Sequence, residues 1–393
     1  MFYIYGFLSL MHIVAQIIFG HGDFRRQRKE NRVDWSFMPS VGVIVPVYNE
    51  DEDRLKRSLD SIRWQTYTGI FKVFVVDDGS KNAGKVERVY RYFEEKYPGM
   101  FFILRKRNEG KRMSQFRAND MMIRHGFKPE VVVTIDSDTI LDPGALSQIV
   151  QSFKDETVGA ATGHVLALNK GENLLTKLIN YRYWMAFNQE RAAQSFFRVL
   201  MCCSGPFSAY RGNLFRGLMH RYTTQTFFGK VCTYGDDRHL TNLVLEEGWN
   251  VVYNKDAEAL THVPNNLREY LRQQLRWNKS FYREMLWTMK AVTKHNAYLI
   301  YDLAMQFILP FLLIGALMHT AYVAAFVDGS IVFAYIGIML GVSLLRVTYG
   351  LIRTKDLGFY WFLIYGLFHV LVLIPTRFVA LATLNDGKWG TRG

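Results

Sequence analysis

The run Val131-Val132-Val133-Thr134-Ile135 stops at Asp136-Ser137-Asp138, and this step from β-branched to acidic residues constrains the fold more than any other stretch. A short apolar run of β-branched side chains bounded by turn residues reads as a buried strand. Residues i and i+2 of extended chain point the same way. Asp136 and Asp138 therefore share a face and can jointly offer oxygen ligands to a hard cation such as Mg²⁺ or Mn²⁺. The same residues also suit a strand end closed by an Asx turn or a helix cap. On this stretch alone both readings stand.

The preceding chain repeats the pattern. Residues 41–47 form an apolar strand running into Tyr48-Asn49-Glu50, and a polar helix is predicted over 53–63. A second strand, 73–76, closes on Asp77-Asp78-Gly79-Ser80 and leads into a helix ending near 95. A third, 101–104, leads to Asn108-Glu109-Gly110-Lys111-Arg112 and a helix over 114–125; the strand ending at Asp136 is the fourth. A helix over 143–153 and a strand over 158–164 follow. This rhythm predicts an α/β fold with a mostly parallel sheet, whose strand ends line one carboxyl edge where such folds bind ligands.

The chemistry gathered at that edge suits a sugar nucleotide. Tyr48 offers an aromatic face to a base, with Glu50 at the same strand end, and Asp77 or Asp78 can accept from uracil N–H or ribose hydroxyls. Lys111 or Arg112 can meet phosphate. No GxGxxG or Walker A sequence is present, which argues against dinucleotide redox chemistry and P-loop hydrolysis. Cys203, Ser204 and Gly205, in Cys202-Cys203-Ser204-Gly205-Pro206, form a small-residue loop able to approach an acceptor sugar closely. A nucleophilic cysteine would need an activating base, and none is identifiable. Gly235-Asp236-Asp237 reads as a helix cap or as the source of a general base, for which Asp237 is the candidate. Gln273 and Trp277, four apart on a helix predicted over 267–289, share a face with Arg276 beside them. The amide and guanidinium can hold phosphate while the indole stacks on a sugar; an interfacial amphipathic helix fits the same pattern.

Apolar residues crowd the two ends. Residues 1–20 are apolar and precede the cluster Arg25, Arg26, Arg28, Lys29 and Arg32, the reverse of a cleaved signal peptide. The segment reads as an uncleaved spanning helix with its basic end in the cytoplasm, or as a membrane-surface helix. Residues 174–197 carry aromatic side chains at helical spacing, as a core helix or one lying at the membrane surface would. Residues 297–326, 331–348 and 358–384 are long enough to span. The net charge of +13 is then read as positive membrane flanks and a diphosphate site, with no nucleic-acid partner, and three cysteines provide no disulfide framework.

The ordered set of Tyr48, Asp78, Lys111, Asp136/Asp138, Gly235-Asp236-Asp237 and Gln273/Arg276/Trp277 resembles the processive, inverting glycosyltransferases of family 2. Within them the chain is similar to the hyaluronan synthases and the chitooligosaccharide synthases of nodulation. Glu190-Arg191-Ala192-Ala193-Gln194-Ser195, Asp236-Asp237-Arg238-His239-Leu240-Thr241 and Arg276-Trp277-Asn278-Lys279-Ser280 carry that likeness. Trp389-Gly390-Thr391-Arg392 favours the hyaluronan synthases, whereas room for one helix before the catalytic domain, where they commonly have two, departs from their pattern. The resemblance implies a GT-A type domain over 38–265, a spanning helix at 1–22, an interfacial helix at 266–295, spanning helices at 296–384 and a tail at 385–393. It further implies UDP-GlcNAc and UDP-glucuronate as donors, a divalent cation, a growing polysaccharide, surrounding lipids and a plasma-membrane location with the catalytic domain cytoplasmic. No obligate protein partner is implied. Arg392 would lie near the diphosphate, which requires 358–384, containing Pro375 and Arg377, to be broken or re-entrant. Gln306, His319, Tyr322, Arg346, Tyr349 and His369 are candidates for lining a sugar passage.

Overall fold

The computed structural model describes residues 2–30 and 33–385; the expected role of Arg392 lies outside the described residues. The strands are β1 (Val41–Val47), β2 (Phe71–Asp77), β3 (Met100–Leu104), β4 (Val131–Ile135), β5 (Ile140–Leu141), β6 (Val158–Ala167), β7 (Phe207–Arg211), the hairpin β8 (Thr226–Phe227) and β9 (Lys230–Val231), and β10 (Asn250–Thr261). Eight of them form one sheet in the order β3-β2-β1-β4-β7-β6-β10-β5.

From β3 to β4 the sheet is parallel, as the alternation of strands and helices predicts. Every residue of β4 is buried, since helices cover both faces of a parallel sheet and select a continuous apolar run. Beyond β4 the sheet is mixed: β7 runs antiparallel to both β4 and β6, β10 is parallel to β6, and β5 is antiparallel to β10. The expectation of a mostly parallel sheet holds, since six of its eight strands run the same way and β5 and β7 are the two reversed. Neither β7 nor β10 is foreseen from sequence, and β10 shows why. Its polar stretch Asn254-Lys255-Asp256 lies where its register with β6 breaks, between Tyr253 and Glu258.

The stretch predicted as one helix over 174–197 is continuous but changes pitch. An α-helix, Leu174–Met185, passes into a π-helix, Ala186–Arg191, and back into α at Ala192–Phe196. A π turn takes in one more residue than an α turn. Arg182 and Glu190, eight apart, are thereby brought together in a two-pronged ion pair, with N–O distances of 2.9 and 3.0 Å. The helix is both core and platform. Phe187, Ala192 and Ala193 pack into the catalytic core, while Tyr181 donates to Asp356 at 3.0 Å and Trp184 meets Phe359 edge-on.

Among the described residues, four helices are long and apolar enough to cross a membrane: Tyr3–Lys29, Ala297–Phe326, Ile331–Thr354 and Leu357–Ala382. The basic end of the first docks on the catalytic domain, where Gln27 donates to the Tyr253 carbonyl at 2.8 Å and Arg26 to that of Ser195 at 3.0 Å. The second starts at that domain, with Asn296 bonded to the Phe197 carbonyl, and the third returns to it, with Tyr349 bonded to the Asn188 carbonyl. Residues 357–382 also begin against the platform, through Phe359 on Tyr181. Their far end touches the catalytic domain again: Thr376 accepts from Asn278 at 3.2 Å, and the Asn385 carbonyl accepts from Lys230 at 3.4 Å. A π-helix at His369–Leu373, followed by Pro375 in the first turn of Ile374–Ala382, interrupts the α geometry between these two ends.

Residues 357–382 thus meet the α/β domain and its platform at both ends, and labelling tests the re-entrant expectation for 358–384. With Cys202, Cys203 and Cys232 replaced, a cysteine placed at Gly329 is expected to react with an impermeant maleimide from the side opposite the catalytic domain. One placed at Asn385 is expected to react only from the catalytic domain's side. Labelling of Asn385→Cys from the side that labels Gly329→Cys would make the last segment a full crossing.

Candidate active site

The acid pair at the end of β4 is set by a turn, in which the Asp136 carbonyl accepts from the Thr139 N–H at 3.0 Å. Asp136 and Asp138 are half-buried and line a cavity, while Ser137 between them is buried. Ser137 donates to Glu50 Oε2 at 2.6 Å, and the Asp51 N–H reaches Glu50 Oε1. Glu50 is thus corrected from a donor-binding residue to a buried brace beneath the acid pair. It does not line the cavity, because it lies beneath the turn, held by Ser137, while Asp136 and Asp138 face the cavity.

Asp77 and Asp78, indistinguishable in sequence, separate cleanly. Asp77 is internal, accepting from the Ser80 N–H and the Tyr90 hydroxyl, both at 2.8 Å. Asp78 lines the cavity and holds the loop before Lys111, accepting from Arg105 and the Glu109 N–H on Oδ1 and from the Gly110 N–H on Oδ2. Burial pushes its carboxyl up to about 6, against the Gly110 amide and Arg105. Tyr48 lines the same cavity. Arg112 also lines the cavity, with its buried guanidinium held on the carbonyls of Tyr222 and Tyr234.

Lys111, the first residue of the helix Lys111–Arg124, reaches the acids instead. Its ammonium lies 2.6 Å from Asp136 Oδ1 and 3.2 Å from Asp236 Oδ2. Burial alone would lower its pKa, but Asp136 and Asp236 outweigh it and hold the ammonium well above the ordinary lysine value. Asp236 and Asp237 open the helix Asp236–Glu246, whose N-terminus favours negative charge. Burial raises both carboxyls; Lys111 and Arg112 reverse that for Asp236, whereas Asp237 is raised further by its neighbour Asp236. One acid is therefore held as an anion and the other is shifted towards neutrality, the condition suited to a general base.

Two anchors fix that helix. Gly235, with φ +75°, precedes it so closely to the helix Leu267–Ala291 that a Cβ would run into Ser280 and Arg283. Glu284, fully buried, accepts from His239 at 2.9 Å, Gln225 at 2.8 Å, the Asn242 side chain and Arg283. On the other side, Thr241 donates to the Asp237 carbonyl and accepts from the Cys203 N–H, tying the small-residue loop to the acid helix. Gly205 then faces the centre: a Cβ there would lie 3.2 Å from Lys111 Nζ, 3.4 Å from Asp136 Oδ2 and 3.8 Å from Asp237 Oδ2.

Ser204 and Gly205 line the cavity as expected, but Cys203 is corrected: its side chain is fully buried in the apolar core. Cys202 takes the cavity-facing position, and burial, with Asp237 adding to it, pushes its thiol up to about 12, so it stays protonated. Gln273, Arg276 and Trp277 all line the cavity, and Gln273 Oε1 is buried with no hydrogen-bond partner among the described residues. Trp277 faces Tyr183, their rings 6.5 Å apart, which gives the cavity an aromatic wall suited to a sugar.

A model of the glycosyltransferase like family 2 matches residues 39–280. The chain belongs to that family. An N-acetylglucosaminyltransferase of Mesorhizobium japonicum is 38% identical over 355 residues, 90% of this chain and 82% of that protein. A hyaluronan synthase of Streptococcus pyogenes serotype M3 is 34% identical over 397 residues, 99% of this chain and 90% of that protein. This family 2 chain is thus related to both groups. Among solved structures, a mannosyltransferase from Pyrobaculum calidifontis, in complex with GDP-Man and Mn²⁺, covers 98% of this chain and 100% of its own with TM-score 0.64 at 19% identity. The fold is accordingly GT-A-like, joined to helices suited to membrane spanning.

The cavity of this glycosyltransferase, about 1190 Å³, runs from the acids into the helices, where Gln306, Arg346, His369 and Arg377 line it. His319 and Tyr322 are corrected to outward-facing residues, and Tyr349 to a helix contact. Ser9, His12 and Gln16 of the first helix line the passage as well, a role not foreseen from sequence, although polar residues in an apolar span are its usual signal.

Gly205→Ala is expected to weaken binding of UDP about tenfold or more while shifting the melting temperature little, because the added methyl meets Lys111 and Asp136 and leaves the core alone. Isothermal titration alongside thermal melting checks this; unchanged UDP binding would remove Gly205 from the site.

Proposed function

We propose that the chain is a processive, inverting glycosyltransferase that extends a β-linked polysaccharide from UDP-sugars at a membrane. The observation that carries this is the single cavity joining the acid cluster to the space between the apolar helices.

Asp136 and Asp138 suit a hard cation. Among the described residues no group of three or more His, Cys, Asp or Glu side chains could hold a metal ion, so Mg²⁺ or Mn²⁺ would share its coordination between this pair and the substrate's phosphates, as Mg²⁺ commonly does. Such a cation neutralises the diphosphate and makes UDP a better leaving group. The Tyr48 ring meets the base. Asp78 Oδ2 accepts one bond within the fold, and an ionised carboxylate takes about four, so it can also accept from the nucleoside. Gln273 Oε1 can accept from a sugar hydroxyl, while Arg276 meets the diphosphate and Trp277 with Tyr183 stacks on the acceptor. Asp237 takes the proton from the acceptor hydroxyl as it attacks C1, so that configuration inverts.

The relatives favour N-acetylglucosamine transfer from UDP-GlcNAc, since six N-acetylglucosaminyltransferases are 34–38% identical to the chain. A second reading, hyaluronan made from UDP-GlcNAc and UDP-glucuronate, is supported by the hyaluronan synthases at 34% and by the basic side chains Arg346 and Arg377 inside the passage, to which a uronate carboxylate could pair. In both readings the catalytic domain faces the cytoplasm, on the side of the basic cluster at Arg25–Lys29.

Purified protein given UDP-GlcNAc alone is expected to release UDP continuously and build polymer; a requirement for both donors would select hyaluronan, and no UDP release with either would overturn the transferase reading. Asp237→Asn should keep UDP-sugar binding and lose about 10²- to 10⁴-fold in turnover. Because burial and Asp236 raise the Asp237 carboxyl, the base is protonated, and the rate falls, at a pH above the ordinary aspartate value of about 3.9. A pH profile of kcat/KM whose acid limb lies at or below that value would remove Asp237 from the role.

A further inference from the structure

Lys111 is engaged where the proposed reaction needs a carboxylate for its cation. Its ammonium, with 17% side-chain exposure, bridges Asp136 and Asp236. A point at the Gly205 Cβ position lies within 4 Å of that ammonium, of Asp136 Oδ2 and of Asp237 Oδ2, so several acids converge on one lysine. Carboxylates this close repel each other strongly in a partly buried site, and a positive charge between them relieves the repulsion. Lys111 supplies that charge in the ligand-free protein. A divalent cation approaching Asp136 would meet the ammonium already held against the same carboxylate.

The fold also gives Lys111 an alternative partner. As the first residue of the helix Lys111–Arg124, it stands at a helix start that its N-cap Gly110 leaves without a side-chain cap, on a loop held by Asp78 at the wall of the nucleotide cavity. A diphosphate arriving there would offer oxygens to the ammonium and the helix start together.

We propose that Lys111 is an exchangeable counter-ion: it holds Asp136 and Asp236 until a nucleoside diphosphate draws it away, and Asp136 then accepts the divalent cation, so that cation and nucleotide enter as a pair. The inference rests on the UDP-sugar and cation chemistry proposed above. It deepens that reading by setting the order of binding. Free cation does not occupy the resting site, and Lys111 returns to the acids when UDP leaves with its cation.

The test measures Mn²⁺ binding to the full-length protein in detergent by the electron paramagnetic resonance of free Mn²⁺, with and without UDP. UDP binding is measured in parallel by titration calorimetry. In the unmodified protein UDP is expected to tighten Mn²⁺ binding at least about tenfold. Lys111→Gln is expected to bind Mn²⁺ about tenfold tighter than the unmodified protein in the absence of UDP, and to lose most of the tightening. Lys111→Arg, which keeps the charge, should bind free Mn²⁺ as weakly as the unmodified protein. Equal Mn²⁺ affinity in Lys111→Gln and the unmodified protein overturns the exchange while leaving the donor reading intact, provided both bind UDP. Absence of UDP binding in the unmodified protein overturns both. Should Lys111→Gln fail to melt cooperatively, the unmodified protein decides alone, and Mn²⁺ binding indifferent to UDP overturns the exchange.

Discussion

Glu284 is the constraint on which the site depends. A carboxylate removed from water is costly unless its oxygens are satisfied, and Glu284 receives His239, Gln225, Asn242 and Arg283 while fully buried. Three of these donors come from outside its own helix, so a single charge binds the acid helix Asp236–Glu246, the strand-edge segment at Gln225 and the helix Leu267–Ala291 into one unit. Gln273, Arg276 and Trp277 lie on that last helix, and Asp237 on the first. The distance between the proposed base and the groups proposed to face the donor is thereby set by the interior of the protein.

The same economy continues into the apolar helices. His12, Gln16, Gln194, Asp302 and Gln306 form a connected polar cluster where the first helix, the platform and the helix Ala297–Phe326 meet. Polar side chains at such depth are tolerated where they face one another or a water-filled space. Here they do both. Arg182, Arg346 and Arg191 hold the Glu190 carboxyl down at about 2 against the burial that would raise it, which keeps a negative charge at the neck of the passage among arginines.

Much of the site is legible in the sequence because a sheet edge translates position into geometry. Asp136, Asp138, Lys111 and Tyr48 each end or follow a strand, and strands laid side by side bring their ends together whatever the details of the helices between them. What the sequence does not reveal is direction. Glu50 and Cys203 sit within a residue or two of cavity-lining groups, yet one faces inward beneath the acid pair and the other into the core. Asp77 and Asp78 are chemically identical and adjacent, and only the positions of Tyr90 and Gly110 distinguish them. Three of the eight strands, β5, β7 and β10, also escape sequence reading, and β10 carries polar residues where its register with β6 breaks. The last apolar segment reads as a span by length, while its contacts with Asn278 and Lys230 belong to residues far away in the chain.

The π-helix at Ala186–Arg191 works as a vernier between two rulers. Residues before it are indexed to the membrane side through Tyr181 and Trp184, and residues after it to the catalytic core through Ala192 and Ala193. One residue absorbed in the wide turn sets the phase between these two indexings. A chain shortened by one residue within 186–191 could keep every side chain on either side of this segment and still misalign its halves by about a quarter of a turn. Length, as much as chemistry, is therefore part of what this segment encodes.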